Sequence, residues 1–275
     1  MQQLSAQYPV WFCDVWGVIH DGHRPFATSV RSLRRHRAAG GLVILVSNSP
    51  RTAAGVARQL DAIGVAPDCR DAIVTSGDVT RGLIVADGGP SVFHLGPARD
   101  LSLFEGLNVA RVALPDAHAV VCTGLFNDLT ETPDDYQALL RQMKQRDLTM
   151  ICANPDRIVR KGTKLLYCAG ALADAYMAIG GKVLMAGKPY APIYDLAMVE
   201  AARLAGRTVP RAEVLAIGDG PDTDIRGAAQ YGLAVVLVAG GVTDAGDGLA
   251  AAAQRVKESV PGARIVATVH DLAWE

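Results

Sequence analysis

Little in this 275-residue chain points to a polyanion, a membrane or a disulfide framework. Lysine and arginine number 27 against 28 aspartates and glutamates, a formal net charge of -1. No basic excess therefore marks a nucleic-acid-binding surface. The five cysteines, Cys13, Cys69, Cys122, Cys152 and Cys168, include no CxxC pair. Several stand in apolar surroundings, which predicts buried free thiols in place of a disulfide scaffold or a zinc site. No apolar run approaches the roughly 18 residues that span a bilayer. The opening MQQLSAQYPVWF has no basic region leading into a long apolar one, so the expected location is the cytoplasm. The first strand candidate is not followed by GxGxxG, which argues against an NAD-type fingerprint. AGGVTDAGDG, Ala239 to Gly248, reads as a flexible loop lacking the spacing of a calcium or phosphate loop. No internal repeat is evident.

Half the residues are hydrophobic and a fifth charged, the composition of a folded, enzyme-like protein. The length suffices for one large α/β unit or two modest domains with real cores. Arg31, Arg34, Arg35, His36 and Arg37 form the densest basic run. They read as the solvated face of a helix starting near Thr28, with Val30 and Leu33 turned inward.

Short apolar runs recur at Val10 to Cys13, Leu42 to Val46, Val214 to Ile217 and Leu233 to Val238. Near-continuous apolar strands alternating with helical patterns predict a mostly parallel sheet covered on both faces. AAGVARQLDAIG supplies one such helix, with Val56, Leu60 and Ile63 on one face and Gly64 to end it. A second α/β unit follows. SVFHLG, HAVVCTG and LTMICAN read as strands, and TPDDYQALLRQMKQRD as a helix with Thr132 as N-cap and Pro133 at its first position. A further helix is expected over 163–179. The last third returns to the first style with a helix from Pro192, whose buried side is read as Ile193, Leu196, Val199 and Leu204. The expected organisation is a core of residues 1–75 and 183–275, interrupted by a second α/β domain at 76–182.

Polar residues collect where the strands end, which in an open parallel sheet is the ligand crevice. Asp14 follows VWFC, Ser47 and Asn48 follow LVILV, and Asp219 opens the acidic stretch of GDGPDTD. Each alone is also an ordinary helix cap. Together, Asp14, Asp219 and Asp224 suit a hard oxygen site for magnesium, which would offset repulsion between carboxylates and a phosphate. A carboxylate nucleophile divides phosphoryl transfer into two easier steps. Ser47, or backbone donors at 47–49, can hold phosphate oxygens, and Lys188 can stabilise accumulating charge.

These residues resemble the motifs of the haloacid-dehalogenase-like superfamily, in particular its class IIA, NagD-like and 4-nitrophenylphosphatase-like members. Asp14 in CDVWGVIHDG matches the nucleophile motif, Ser47 in VSNS the phosphate motif, Lys188 in GKPYAPIY the lysine motif and GDGPDTDI the metal motif. CANPD, Cys152 to Asp156, is similar to the family's TNPD segment. The resemblance covers nearly the whole chain. It implies an α/β fold, a Rossmannoid parallel-sheet core with an inserted, mobile α/β cap closing over a small phosphate ester. It also implies that Asp14 attacks phosphorus and binds Mg2+ with Asp219, with Asp224 holding the metal environment and the Trp16 carbonyl as a further ligand. Asn48 would orient the phosphate, and Asn154 and Asp156 would lie near the core–cap interface, where a turn role around Pro155 stands beside substrate contact. Cap-mediated homodimerisation is a further implication; the partner expected is a small phosphorylated metabolite, with no nucleic acid and no membrane.

At Trp16 the pattern breaks. Members of the family carry an acid–base aspartate two residues after the nucleophile, and an indole has no useful acid–base pKa. Three readings stand open: replacement by His20, Asp21 or His23; a substrate needing little leaving-group protonation, such as an acyl or aryl phosphate; or a phosphate-binding protein with weak hydrolysis. Trp16 itself reads as a stacking wall for an aromatic or sugar ligand, or as a packed aromatic.

Overall fold

The computed structural model describes residues 1–161, 164–240 and 248–275. Most of the Gly/Asp loop singled out above therefore lies outside the described residues. The chain forms two compact units. One comprises Met1–Ser47, Ala54–Val74 and Lys188–Glu275, the other Asn48–Ala53 and Thr75–Gly187.

The chain begins with α1 (Gln2–Gln7), β1 (Val10–Cys13), α2 (Ala27–Ala38), β2 (Leu42–Ser47), α3 (Ala53–Ala62) and β3 (Ala72–Thr75). It continues with α4 (Ser76–Asp87), β4 (Ser91–Leu95), β5 (Ala110–Arg111), β6 (Ala119–Cys122), α5 (Gln137–Gln145) and β7 (Thr149–Cys152). Next come β8 (Ile158–Lys161), β9 (Lys164–Tyr167), α6 (Ala169–Ala178) and β10 (Lys182–Met185). The last third holds α7 (Ala191–Ala205), β11 (Val214–Gly218), α8 (Arg226–Tyr231), β12 (Ala234–Val238), α9 (Leu249–Ser259) and β13 (Arg264–Val269).

The first unit's sheet has the order β13-β12-β11-β1-β2-β3. Numbered along that unit alone, this is the doubly wound 3-2-1-4-5-6 order read from its other edge. β1 lies between β2 and β11 and runs parallel to both. All four residues of β1 and all five of β11 and β12 are buried, as expected of strands covered on both faces. Alternation sends Trp11 and Cys13 of β1 into the same cluster as Val43, Leu45, Leu215 and Ile217.

The second unit has its own sheet, β10-β7-β6-β4-β5, whose recorded pairings are all parallel. One face buries Val120, Cys122 and Met150 against Leu140, Met143, Leu172 and Tyr176 of α5 and α6. The other buries Val92, Val121 and Ile151 against Ile84, Leu103 and Phe104. Pairing of β10 with β7 draws residues up to Gly187 into this unit. A capping box between Thr75 and Asp78 starts α4, and Asp78 also accepts the backbone N–H of Ala53 at 3.0 Å.

Three local expectations are corrected. Residues Lys164–Tyr167 are a strand, pairing antiparallel with β8, and helix starts only at Ala169. The apolar pattern there has period two: Leu166 is buried while Leu165 and Tyr167 face solvent. Thr163, the expected start of that helix, lies outside the described residues. On α7 the buried stripe is Ile193, Tyr194, Ala197 and Ala201, and Val199 is exposed. On α2, Arg31, Arg34 and Arg35 are solvated, but His36 is fully buried. Its ring stacks on Trp11 at 3.9 Å with 5° between planes, and its Nδ1 meets Ser5 Oγ at 2.7 Å. All five cysteines are free and buried, as expected from their apolar settings. Among the described residues no helix is long and apolar enough to cross a membrane.

Candidate active site

Strand order assembles the site. From β1 the chain winds to β2 on one side, and its last third begins again at β11 on the other, so the loops after β1 and β11 diverge at a switch point. Asp14 follows β1 directly, and its N–H donates to Ile217 O at 2.8 Å. Asp219 follows β11. Ser47 closes β2, whose Leu45 is level with Cys13. Asp224 belongs to the turn Pro221–Ile225 that leads into α8, and its Oδ2 accepts the Gly220 N–H at 3.1 Å.

Lys188, entering from the last third of the chain, ties two of these acids together. Its Nζ donates to Asp14 Oδ1 at 2.5 Å and to Asp224 Oδ1 at 2.7 Å. All of Asp14, Asp219, Asp224 and Lys188 are buried. One oxygen from each of the three acids lies within 4.8 Å of the others. The approach of the β1 loop to Asp219 requires a glycine: at Gly17, with φ +80°, a Cβ would lie 2.2 Å from Asp219 Oδ2.

Burial pushes the Asp14 carboxyl well above the ordinary range; Lys188 opposes this, while Asp224 and Asp219 add to it. Burial also disfavours the Lys188 ammonium, but Asp14 and Asp224 outweigh it and hold its pKa well above the usual value. The lysine is therefore charged. A donor set of converging carboxyl oxygens from three buried acids fits a hard divalent cation.

Comparison with known proteins identifies the family. A haloacid dehalogenase-like hydrolase model matches residues 11–110, and a second, HAD-hydrolase-like model matches residues 185–272. A crystal structure of a haloacid dehalogenase-like hydrolase from Brucella suis is 43% identical, with a TM-score of 0.89 over 99% of this chain and 98% of that one. The chain belongs to the haloacid dehalogenase-like family. A glycerol phosphate phosphatase from Mycobacterium tuberculosis, solved with magnesium, is 25% identical with a TM-score of 0.73, over 98% of this chain and 76% of that one. A 4-nitrophenylphosphatase from Thermotoga maritima shares the fold at 23% identity, TM-score 0.73, over 98% and 96% of the two chains. A search of curated proteins finds no match.

Within this haloacid dehalogenase-like chain, Trp16 is a pinned aromatic. Its ring meets the ring of His20 edge-on, with 5.2 Å between centroids and 77° between planes. The turn opposite is Gly22, where a Cβ would lie 2.4 Å from Trp16 Cη2. His20 is buried, and its Nδ1 accepts the Gly22 N–H at 2.8 Å, which leaves the proton on Nε2 of a neutral ring. Burial lowers its pKa further, against a weaker pull from Asp21. Asp21 accepts the N–H groups of His23 and Arg24 at 2.9 Å each. The bond from Arg24, then that from His23, holds its carboxyl down at about 2. His20 and Asp21 are thus engaged in building the loop, and His23 gives its backbone N–H to the same turn.

Asn48, Asn154 and Asp156 come together in the second unit. Asn48 Nδ2 donates to Asp156 Oδ1 at 2.8 Å, and the Asp156 N–H donates to Asn154 Oδ1 at 3.0 Å. The NPD turn is thereby clamped to the residue following Ser47. Sequence reasoning overlooked Tyr194. It is buried with its pKa pushed up by burial and by the charge of Asp224, Lys188 opposing. The signal was its apolar setting four residues into α7, inside the GKPYAPIY motif.

Proposed function

We propose that the protein is a magnesium-dependent phosphatase of small phosphate monoesters, acting through an aspartyl-phosphate at Asp14 and attenuated by Trp16. The observation that carries this reading is the buried Asp14–Lys188–Asp224 cluster with Asp219 beside it. Asp14 Oδ attacks phosphorus as the ester P–O bond breaks and the alkoxide leaves, taking a proton from water. A second water then attacks the aspartyl-phosphate at phosphorus, releasing inorganic phosphate and restoring Asp14. Lys188 opposes the effect of burial on Asp14 and attracts the phosphoryl oxygens, while Ser47 and the amides after it bind them. Magnesium, held by Asp14, Asp219, Asp224 and the Trp16 carbonyl, would neutralise charge on the phosphate. Asn48, with Asn154 and Asp156 behind it, sets the loop that follows Ser47. The second unit is proposed as a mobile cap. Kinship with a glycerol phosphate phosphatase supports a small metabolite as substrate. Nucleic acid and membrane are not among the proposed partners; homodimerisation and a cytoplasmic location complete the proposal.

Attenuation follows from proton transfer. A positioned acid or base is worth about 10²–10⁴-fold, and poor leaving groups need it most. Trp16 carries no useful acid–base group, and His20 Nδ1 and the Asp21 carboxylate are engaged in building the loop. The same observation favours a second reading, a phosphate-ligand-binding protein with little turnover. A phosphate-release panel of alkyl, aryl and acyl phosphates, with and without magnesium, separates the two. Metal-dependent release from acyl and aryl esters supports the phosphatase. Binding without release from any ester supports the second reading.

A further inference from the structure

The second unit's sheet has a switch point of its own. Numbered along that unit, the order is 2-1-3-4-5: the chain leaves β4 for β5 on one side, then crosses back to β6 on the other. Loops leaving the carboxyl ends of β4 and β6 part there, and such sheets bind ligands in the crevice that results. A groove of about 490 Å³ lies at this place. It is lined by Gly96 and Pro97, which follow β4, by Leu101, by Val112 after β5 and by Phe126 after β6. The size is that of a small-ligand site.

The crevice is braced from both sides. His94 Nε2 meets Thr123 Oγ1 at 2.9 Å, and Arg99 in the β4 loop pairs with Asp128 in the β6 loop at 2.5 Å. Gly96 has φ +155°, and a Cβ there would lie 2.0 Å from Thr123 Oγ1, so the chain passes this point only as glycine. Phe126 keeps 47% of its surface exposed on one wall.

Charge selects the occupant. Arg111 ends β5 on the rim, with its guanidinium 5.8 Å from the Phe104 ring centroid. It takes part in none of the ion pairs among the described residues. Burial, reinforced by Arg111, lowers His94 to about 4, so the histidine adds no charge at neutral pH. One unpaired guanidinium beside apolar and aromatic walls matches one carboxylate on a flat apolar body; a phosphate dianion would lack its second cation. We infer that this groove is a binding site for a small aromatic carboxylate.

The test is a titration of the full chain with 2-naphthoate, followed by backbone amide NMR. Saturable shifts are expected around Gly96, Arg111 and Phe126. R111Q should weaken binding at least tenfold without changing Tm, since Arg111 is exposed. The uncharged 2-naphthylmethanol should bind at least tenfold more weakly, and Asp14→Asn should leave 2-naphthoate binding unchanged. Absence of saturable binding, equal binding by R111Q, or shifts centred on Asp14 and Lys188 would each overturn the proposal. So would shifts that depend on protein concentration with no probe present, which would make the groove an interface between copies.

Discussion

Trp16 occupies the space a side chain at Gly22 would take, with its Cη2 2.4 Å from the Cβ that position lacks. Gly22→Ala should therefore cost stability twice, through the contact with the indole and through φ +91°. The backbone part is about 1–2 kcal/mol. Combining it with Trp16→Ala should recover the steric part, giving a coupling of about 0.5–3 kcal/mol in a denaturation double-mutant cycle. Additive losses would show that the ring is not held there.

Trp16→Asp tests the missing proton carrier. Release of phosphate from alkyl esters should rise by about 10²-fold or more, and release from acyl phosphates should change far less. An equal gain on both substrate classes would point to relief of crowding by the indole.

Asp14→Asn should abolish phosphate release on every ester in the panel, because the attacking carboxylate is gone. Lys188→Met should also lower stability, since it leaves Asp14 and Asp224 buried beside each other without their shared cation. Removing one partner of a buried pair typically costs about 3–5 kcal/mol. Thermal unfolding of the two variants reads the difference: Asp14→Asn removes a charge from an acid-rich cluster and should be much the milder.

Magnesium should raise the Tm of the wild-type chain in proportion to log concentration once the site is saturated, and chelation should remove both that shift and turnover. Asp219→Asn should need more magnesium for the same shift. A Tm indifferent to magnesium would remove the metal from the proposal.

Acid should destabilise the protein through His36. Burial lowers its pKa to about 4 in the folded state, against about 6.5 in the unfolded chain, so unfolding takes up a proton between those values. The stability from a neutral His36 is complete above pH 6.5 and is lost as pH falls toward 4, on the order of 3 kcal/mol. His36→Phe should flatten that part of the denaturation profile.

Asp14, Ser47 and Asp219 were legible because each stands at the end of an apolar run long enough for a buried strand, while Asp224 was legible from the acidic stretch after Asp219. VWFC and LVILV run straight into Asp14 and Ser47, and VLAI reaches Asp219 through Gly218. The lysine was legible from its motif. What could not be read was the work of other chain segments on a residue. His36 looks like one more basic residue on α2 until Trp11 and Ser5 enclose it. His20 resembles a free acid–base group until the Gly22 N–H takes its Nδ1. The misread strand at Lys164–Tyr167 has the same cause: its pairing with β8 outweighs a helical start suggested by neighbouring composition.

Lys188 and Asp14 are 174 positions apart, and all of the second unit is encoded between them. During synthesis β1 and β2 emerge early, with two buried faces and no β11 to pair with. The second unit's five-stranded sheet is complete at Met185, before Lys188 has been added. On the ribosome the inserted unit can therefore finish folding while its host waits with β1, β2 and β3 made and β11 still to come. That interval is where chaperones would be expected to bind the nascent chain.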